Sequence, residues 1–213
     1  MIMANLLRLA IFFWIALAQP VVGFGRGFGQ FKVPNTSDLF RRFLDPEEGD
    51  GGLAQRRKEL KELLQQECEN NNRQKIEGII AELQQVNPTP DSAKSPLLQR
   101  KWLLIWTTEK EINLFIDWNL CGDIYQTIDG TMLENMIPFQ RDGYFGVKGA
   151  LSAEGDGVRT NFEFNEATLD LGRWGSFKIP PVGKGWFDTL YLDNQLRVDT
   201  NSRNDILICR PMD

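Results

Sequence analysis

The stretch "VRTNFEFNEATLDL", residues 158–171, decides how the chain is read. Val158, Thr160, Phe162 and Phe164 alternate with Arg159, Asn161, Glu163 and Asn165. A period of two puts the first set on one face of a strand and the second on the other. That is a half-buried antiparallel strand with a wet side. Asp156-Gly157 supplies a turn just before it, and Asp142-Gly143 an earlier one.

The same period extends outward in both directions. "KWLLIWTT" (101–108) and "EINLFIDW" (111–118) are strand candidates joined by Glu109-Lys110. "GDIYQTID" (122–129) places Ile124, Gln126 and Ile128 on one face and Tyr125 and Thr127 on the other. Gly130 turns into "TMLENMIPF". Beyond 171, "GRWGSFKIPPVGKG" reads as a turn or short edge segment, followed by "WFDTLYLD", "NQLRVDT" and "NDILICR", with the last tight connection at 203–205. Nine or ten short strands with no helix between them predict an antiparallel sandwich or a closed barrel, not a parallel α/β fold. The period alone does not choose between the two.

Ahead of the strands, residues 53–90 predict a helical pair. Leu53, Leu60, Leu63, Leu64 and Cys68 share one side of the first helix, and Ile76, Ile79, Ile80, Leu83 and Val86 form the stripe of the second. "NPTP" at 87–90 ends it. Residues 1–18 resemble a targeting segment, with an uncharged run from Leu9 and small residues Ala16 and Ala18 before a cleavage point; an uncleaved anchor is the alternative. Residues 19–52 read as a basic arm, a second transit piece or a linker, with Phe24, Phe28 and Phe31 as candidate anchors on a partner.

Composition narrows the function. The 213 residues carry 24 basic and 29 acidic side chains, so no basic field favours nucleic acid. Histidine is absent, which removes the commonest neutral-pH base and zinc ligand. Cys68, Cys121 and Cys209 are isolated and read as free thiols. No phosphate loop, dinucleotide fingerprint or G-x-S-x-G elbow occurs, and scattered carboxylates give no metal or glycosidase pattern. In "GWFDTLYLDNQLRV" (185–198), Arg197 reads as an architectural cation, with Asp188 or Asp193 as its nearby partners.

Five blocks in order then carry a family resemblance over about residues 58–210: "KELLQQ" leading to "LQQVNPTP", "LLQRKWLLIWTT" with Trp102, "GDIYQTID", "GWFDTLYLDNQLRV" and "ILICR". The chain resembles the plastid lipid-associated proteins (PAP), also called fibrillins or plastoglobulins. The resemblance makes Asp188, Tyr191, Asp193, Leu196 and Arg197 the C-terminal motif, and Tyr125, Gln126 and Asp129 the central one. It implies a mainly β fold, with a lipocalin-like antiparallel barrel at 97–213 preceded by two amphipathic helices. It also implies a non-enzymatic protein that binds or carries a lipid, quinone or carotenoid at thylakoids or plastoglobules, with no required cofactor. The alternative is a structural subunit with a filled barrel at the periphery of a photosynthetic membrane complex. Trp102, Phe162 and Phe164 are the expected cavity residues. The leader resembles that of an algal plastid with extra bounding membranes, or an export signal to the thylakoid lumen. One departure stands out: the family's glycines after the arginine strand are missing from "VDTNSRNDILIC" (198–209).

Overall fold

A computed structural model of the chain describes residues 50–180 and 183–212. The expectations for 1–18 and for most of 19–52 lie outside the described residues.

The chain divides into two compact units, meeting in sequence between Val86 and Asn87. In the first, α1 (Asp50–Glu69) and α2 (Arg73–Gln85) form a helical hairpin. Asn71 turns the corner at φ 50°, a left-handed value that asparagine tolerates. The Asn72 side chain caps α2 by accepting from the Lys75 N–H. Arg56 pairs with Glu82, and the Arg57 Nε donates to the Val86 carbonyl (2.7 Å), so the start of α1 is tied to the end of α2.

The second unit is a barrel. Its strands are β1 (Lys101–Thr107), β2 (Tyr125–Asp129), β3 (Met132–Pro138), β4 (Tyr144–Ala153), β5 (Arg159–Asp170), β6 (Ser176–Ile179), β7 (Lys184–Leu192), β8 (Arg197–Asn201) and β9 (Ile206–Pro211). Every neighbour pair is antiparallel. The sheet order β4-β3-β2-β1-β9-β8-β7-β5-β6, with β4 also paired to β5, closes the ring and decides for the barrel over the sandwich. Closure leaves no long free edge to template aggregation. β6 stands outside the ring. β5 shares one side between β7, opposite Arg159–Glu163, and β6, opposite Ala167–Asp170.

The deciding stretch does more than alternate. Thr160 and Phe164 are buried, then Ala167 and Leu169, so the inward phase switches from even to odd residues. The switch falls where the β4–β5 register shifts, and Asn165 and Glu166 are both exposed there. An extra residue at a bulge bends a strand and re-aims its side chains, which is how a sheet curves into a ring. Gly149 sits opposite: a Cβ there would lie 2.2 Å from the Glu163 carbonyl oxygen.

One predicted strand is a helix. "EINLFIDW" contributes to α3 (Lys110–Asp117), inserted between β1 and β2. Its buried residues, Ile112 and Phe115, are three apart, while Ile116 and Trp118 are exposed. A mostly apolar octet hides a helical stripe inside what reads as a buried strand. The prediction of no helix between the strands is corrected with it. The connection Gly172–Trp174 is a 3₁₀ turn, and two more such turns, Ser92–Lys94 and Pro96–Leu98, precede β1.

Inside the ring lies the core, including Trp102, Ile128, Leu133, Ile137, Phe145 and Leu192. One end is stopped by the segment before β1. Leu98 is buried there and accepts from the Trp102 indole N–H (3.0 Å), while the Ala93 N–H donates to the Gly157 carbonyl. The chain order puts α3, the β3–β4 turn, the β5–β6 hairpin and the β8–β9 turn at the other end.

Candidate functional site

A cavity of about 120 Å³ occupies the barrel interior and reaches Glu109 and Ile112 at the α3 end. Its apolar wall comes from β3, β4 and β5, with Leu133, Ile137, Phe145, Val147, Phe162 and Phe164. Phe162 and Phe164 stack at 5.0 Å between ring centroids.

The polar side is mostly one strand. Arg197, Asp199 and Asn201 alternate along β8 and all line the cavity, while Val198 between them is buried outside it. Inward-facing residues two apart step about 6.7 Å along a strand, so three of them run from the stopped end to the α3 end. Gln126 and Asn135 continue the polar lining on β2 and β3, joined by a 2.8 Å hydrogen bond from the Gln126 amide.

Arg197 is fully buried. Its Nε lies 2.9 Å from Asp199 Oδ2, its NH2 donates to Gln126 Oε1 at 2.6 Å, and NH2 lies 3.8 Å from Cys209 Sγ. The guanidinium carbon sits 5.0 Å from the Trp102 ring centroid and 5.9 Å from that of Phe187. The Asp199 contact is an ion pair without hydrogen-bond alignment, and NH1 has no hydrogen-bond partner among the described residues. Thr189 donates its hydroxyl to Asp199 Oδ1 at 2.8 Å. Burial raises the Asp199 carboxyl, opposed by the charge of Arg197 and the Thr189 hydrogen bond. Burial also pushes the Cys209 thiol up to about 11, so it stays neutral beside the arginine.

At the α3 end, Glu109 accepts from Asn201 Nδ2 (2.7 Å) and pairs with Arg203 (3.2 Å). Burial nonetheless raises its carboxyl to about 7, more than Arg203 lowers it. The Asn201 side chain also accepts from the N–H groups of Arg203 and Asp205, and Asn204 takes φ 62°. This asparagine-built turn stands where the family's glycines are missing.

Of the residues named from sequence, Trp102, Tyr125, Gln126, Phe162, Phe164 and Arg197 come together around the cavity. Asp188, Tyr191 and Asp193 do not. Asp188 is clamped by Arg159, Nε to Oδ1 at 2.7 Å and NH2 to Oδ2 at 2.8 Å. Asp193 accepts from the Tyr191 hydroxyl and from the N–H groups of Gln195 and Leu196, building the β7–β8 turn. The pairing of Arg197 with Asp188 or Asp193 is thus corrected: its partner is Asp199, two residues along the same strand. Asp199, Asn135, Asn201 and Glu109 were missed because alternation was taken to send polar residues outward. The signal was there in "RVDTN", whose charged residues keep step with Arg197.

Cys68, Cys121 and Cys209 are all free thiols, Cys121 and Cys209 buried and Cys68 partly so. Among the described residues no three His, Cys, Asp or Glu side chains group as a metal site, and no helix is long and apolar enough to cross a membrane.

A closed antiparallel barrel with a partly apolar interior cavity defines a class of small hydrophobic-ligand barrels. Residues 64–210 match the PAP_fibrillin family model, and the chain belongs to that family. It is 39% identical over 118 residues to the "Probable plastid-lipid-associated protein 11, chloroplastic" of Arabidopsis thaliana. That match covers 52% of this chain and 55% of the relative, so the chain spans about half the length of the curated relative it matches. No solved structure matches.

Proposed function

We propose that this chain is a plastid protein that binds or carries a hydrophobic small molecule, a lipid, quinone or carotenoid, at thylakoids or plastoglobules. The observation that carries the reading is the interior cavity, with an aromatic wall on one side and a polar stripe on the other. Such a lining suits a molecule with an apolar body and a polar end.

The α3 end supplies a way in from lipid. Ile116 and Trp118 at α3 are 49% and 56% exposed, and Trp174 and Phe177 at the β5–β6 hairpin are 56% and 49% exposed. The two places are linked along the rim. Gln140 donates to Asn119 Oδ1 and the Cys121 carbonyl, and Asp142 lies against Gly172. Exposed tryptophans favour a lipid–water boundary, where the ring is half buried.

A second reading is favoured by the size of the cavity. At about 120 Å³ it is smaller than the roughly 300–1,000 Å³ of ordinary small-molecule sites, so a whole carotenoid does not fit the ring as it stands. A structural subunit of a photosynthetic membrane complex, with a nearly filled barrel, fits that number. Native purification followed by mass spectrometry separates the two. A stoichiometric bound lipid, quinone or pigment supports the carrier; a reproducible protein neighbour with no such ligand overturns it.

A further inference from the structure

The floor of the cavity has a chemical preference of its own. Arg197 is fully buried, lines the cavity and has two guanidinium nitrogens, Nε and NH1, with no hydrogen-bond partner among the described residues. A buried donor without an acceptor is costly, and native interiors avoid it. Nε lies beside Asp199 in an ion pair and NH2 donates to Gln126, which leaves NH1 with neither. The group packs against two aromatic rings, its central carbon 5.0 Å from the Trp102 centroid and 5.9 Å from that of Phe187.

Its charge is already balanced. Asp199 lies 2.9 Å away and is itself buried, and the neighbouring Cys209 thiol is neutral. An entering carboxylate or phosphate would set a second anion beside one cation, away from water, and beside Asp199. Desolvation and like-charge repulsion both oppose that. An uncharged oxygen acceptor brings lone pairs without charge, and its bond to a cationic donor is stronger than a neutral pair. Guanidinium has no acceptor of its own, so the ligand must supply one.

We infer that the cavity selects hydrophobic molecules ending in an uncharged carbonyl-type oxygen, which accepts a hydrogen bond from Arg197 NH1 at the floor of the barrel, and discriminates against acids and phosphates of the same shape. The inference rests on the reading of the cavity as a ligand site and adds the chemistry of the ligand's buried end.

The test uses three probes matched in size to one another: acetophenone, a neutral acceptor; benzoate, a charged one; and cumene, with no acceptor. Each is titrated into the full-length protein and followed by amide and arginine side-chain ¹⁵N resonances. Acetophenone should bind about tenfold or more tighter than either of the others, the value of one charge-assisted hydrogen bond. The Arg197 guanidinium resonance should move with acetophenone and not with cumene. In the charge-neutral double variant R197M/D199L the ketone should lose its advantage while cumene binding persists. If that variant does not fold, the guanidinium resonance of the unmodified protein still decides. Benzoate binding as tightly as acetophenone overturns the inference, as does cumene binding equally well with no movement at Arg197. Binding of none of the three overturns the ligand-site reading itself, which is a different failure.

Discussion

Arg159 and Asp188 face each other across β5 and β7 and join through two parallel hydrogen bonds, at 2.7 and 2.8 Å. The guanidinium also lies 3.7 Å from the ring centroid of Trp186, two residues before Asp188 on β7. β5 and β7 meet over only Arg159–Glu163, because β6 takes the rest of that side. The clamp therefore reinforces a short pairing at the start of the longest strand. Asp188 is 8% exposed at its side chain and Arg159 27%, so the pair is partly shielded from solvent. D188N should destabilise the barrel by about 1–3 kcal/mol. Urea unfolding of D188N, R159M and the double variant measures the coupling. Additive effects would show that the clamp contributes nothing.

Gly149 permits the bulge that bends β5. A Cβ at that position meets the Glu163 carbonyl oxygen at 2.2 Å and its carbon at 2.8 Å, both backbone atoms that cannot swing away. G149A should cost about 2–4 kcal/mol, in the class of overpacking beside a fixed backbone. G78A, on α2 with nothing within 4 Å of its added Cβ, is the control and should stabilise by up to about 1 kcal/mol. Equal melting temperatures for the two would contradict the role given to Gly149.

Glu109 makes stability depend on pH. Its carboxyl is raised from 4.5 to about 7 in the folded protein, chiefly by burial. Folding therefore favours the neutral form. The contribution is fully present below pH 4.5 and is lost as pH rises through about 7. The loss is at most about 3 kcal/mol, since one pKa unit is about 1.4 kcal/mol. E109Q should flatten the stability profile between pH 5 and 7 and leave Arg203 paired with Glu111 and Asp205. An unchanged slope in E109Q would remove Glu109 from the account.

The rim predicts a docking face. W118S and W174S together should reduce cosedimentation with neutral phosphatidylcholine vesicles several-fold while leaving the melting temperature within about 1 °C, because both side chains are more than half exposed. Addition of salt should change the binding little, as the effect rests on apolar insertion. Full retention of vesicle binding would place the lipid contact elsewhere.

How far the sequence was readable follows from which face a residue occupies. In "VRTNFEFN" the strand was legible from its period, with Thr160 and Phe164 buried as expected, while β5 starts at Arg159, and Val158 and Phe162 are only partly buried. The bulge at Asn165 was not legible, because a bulge is a relation between two strands and only one is visible in a local pattern. "EINLFIDW" failed for a different reason: eight mostly apolar residues fit either period, and burial at Ile112 and Phe115 against the barrel mouth settles it. At the site, Trp102, Gln126 and Arg197 were found through motif resemblance, while Asp199 escaped because a barrel interior is expected to be apolar. Its hydroxyl partner, Thr189, and its cation, Arg197, make the buried charge tolerable only after the ring has closed.

The short helix α3 covers one end of the barrel without being a strand of its ring. Its backbone bonds are largely its own, and it is moored to β1 by Asn113 Nδ2 on the Thr107 carbonyl and by the Glu109 N–H on the Thr107 hydroxyl. Ile112 and Phe115 are buried beneath it, Leu114 packs against the core, and Glu111 pairs with Arg203. Swinging it aside breaks no rung of the β ladder. The contacts that keep α3 on the mouth are thereby distinct from the ladder that closes the ring. Substitutions on α3 can therefore alter the mouth while leaving the rungs of the ring in place.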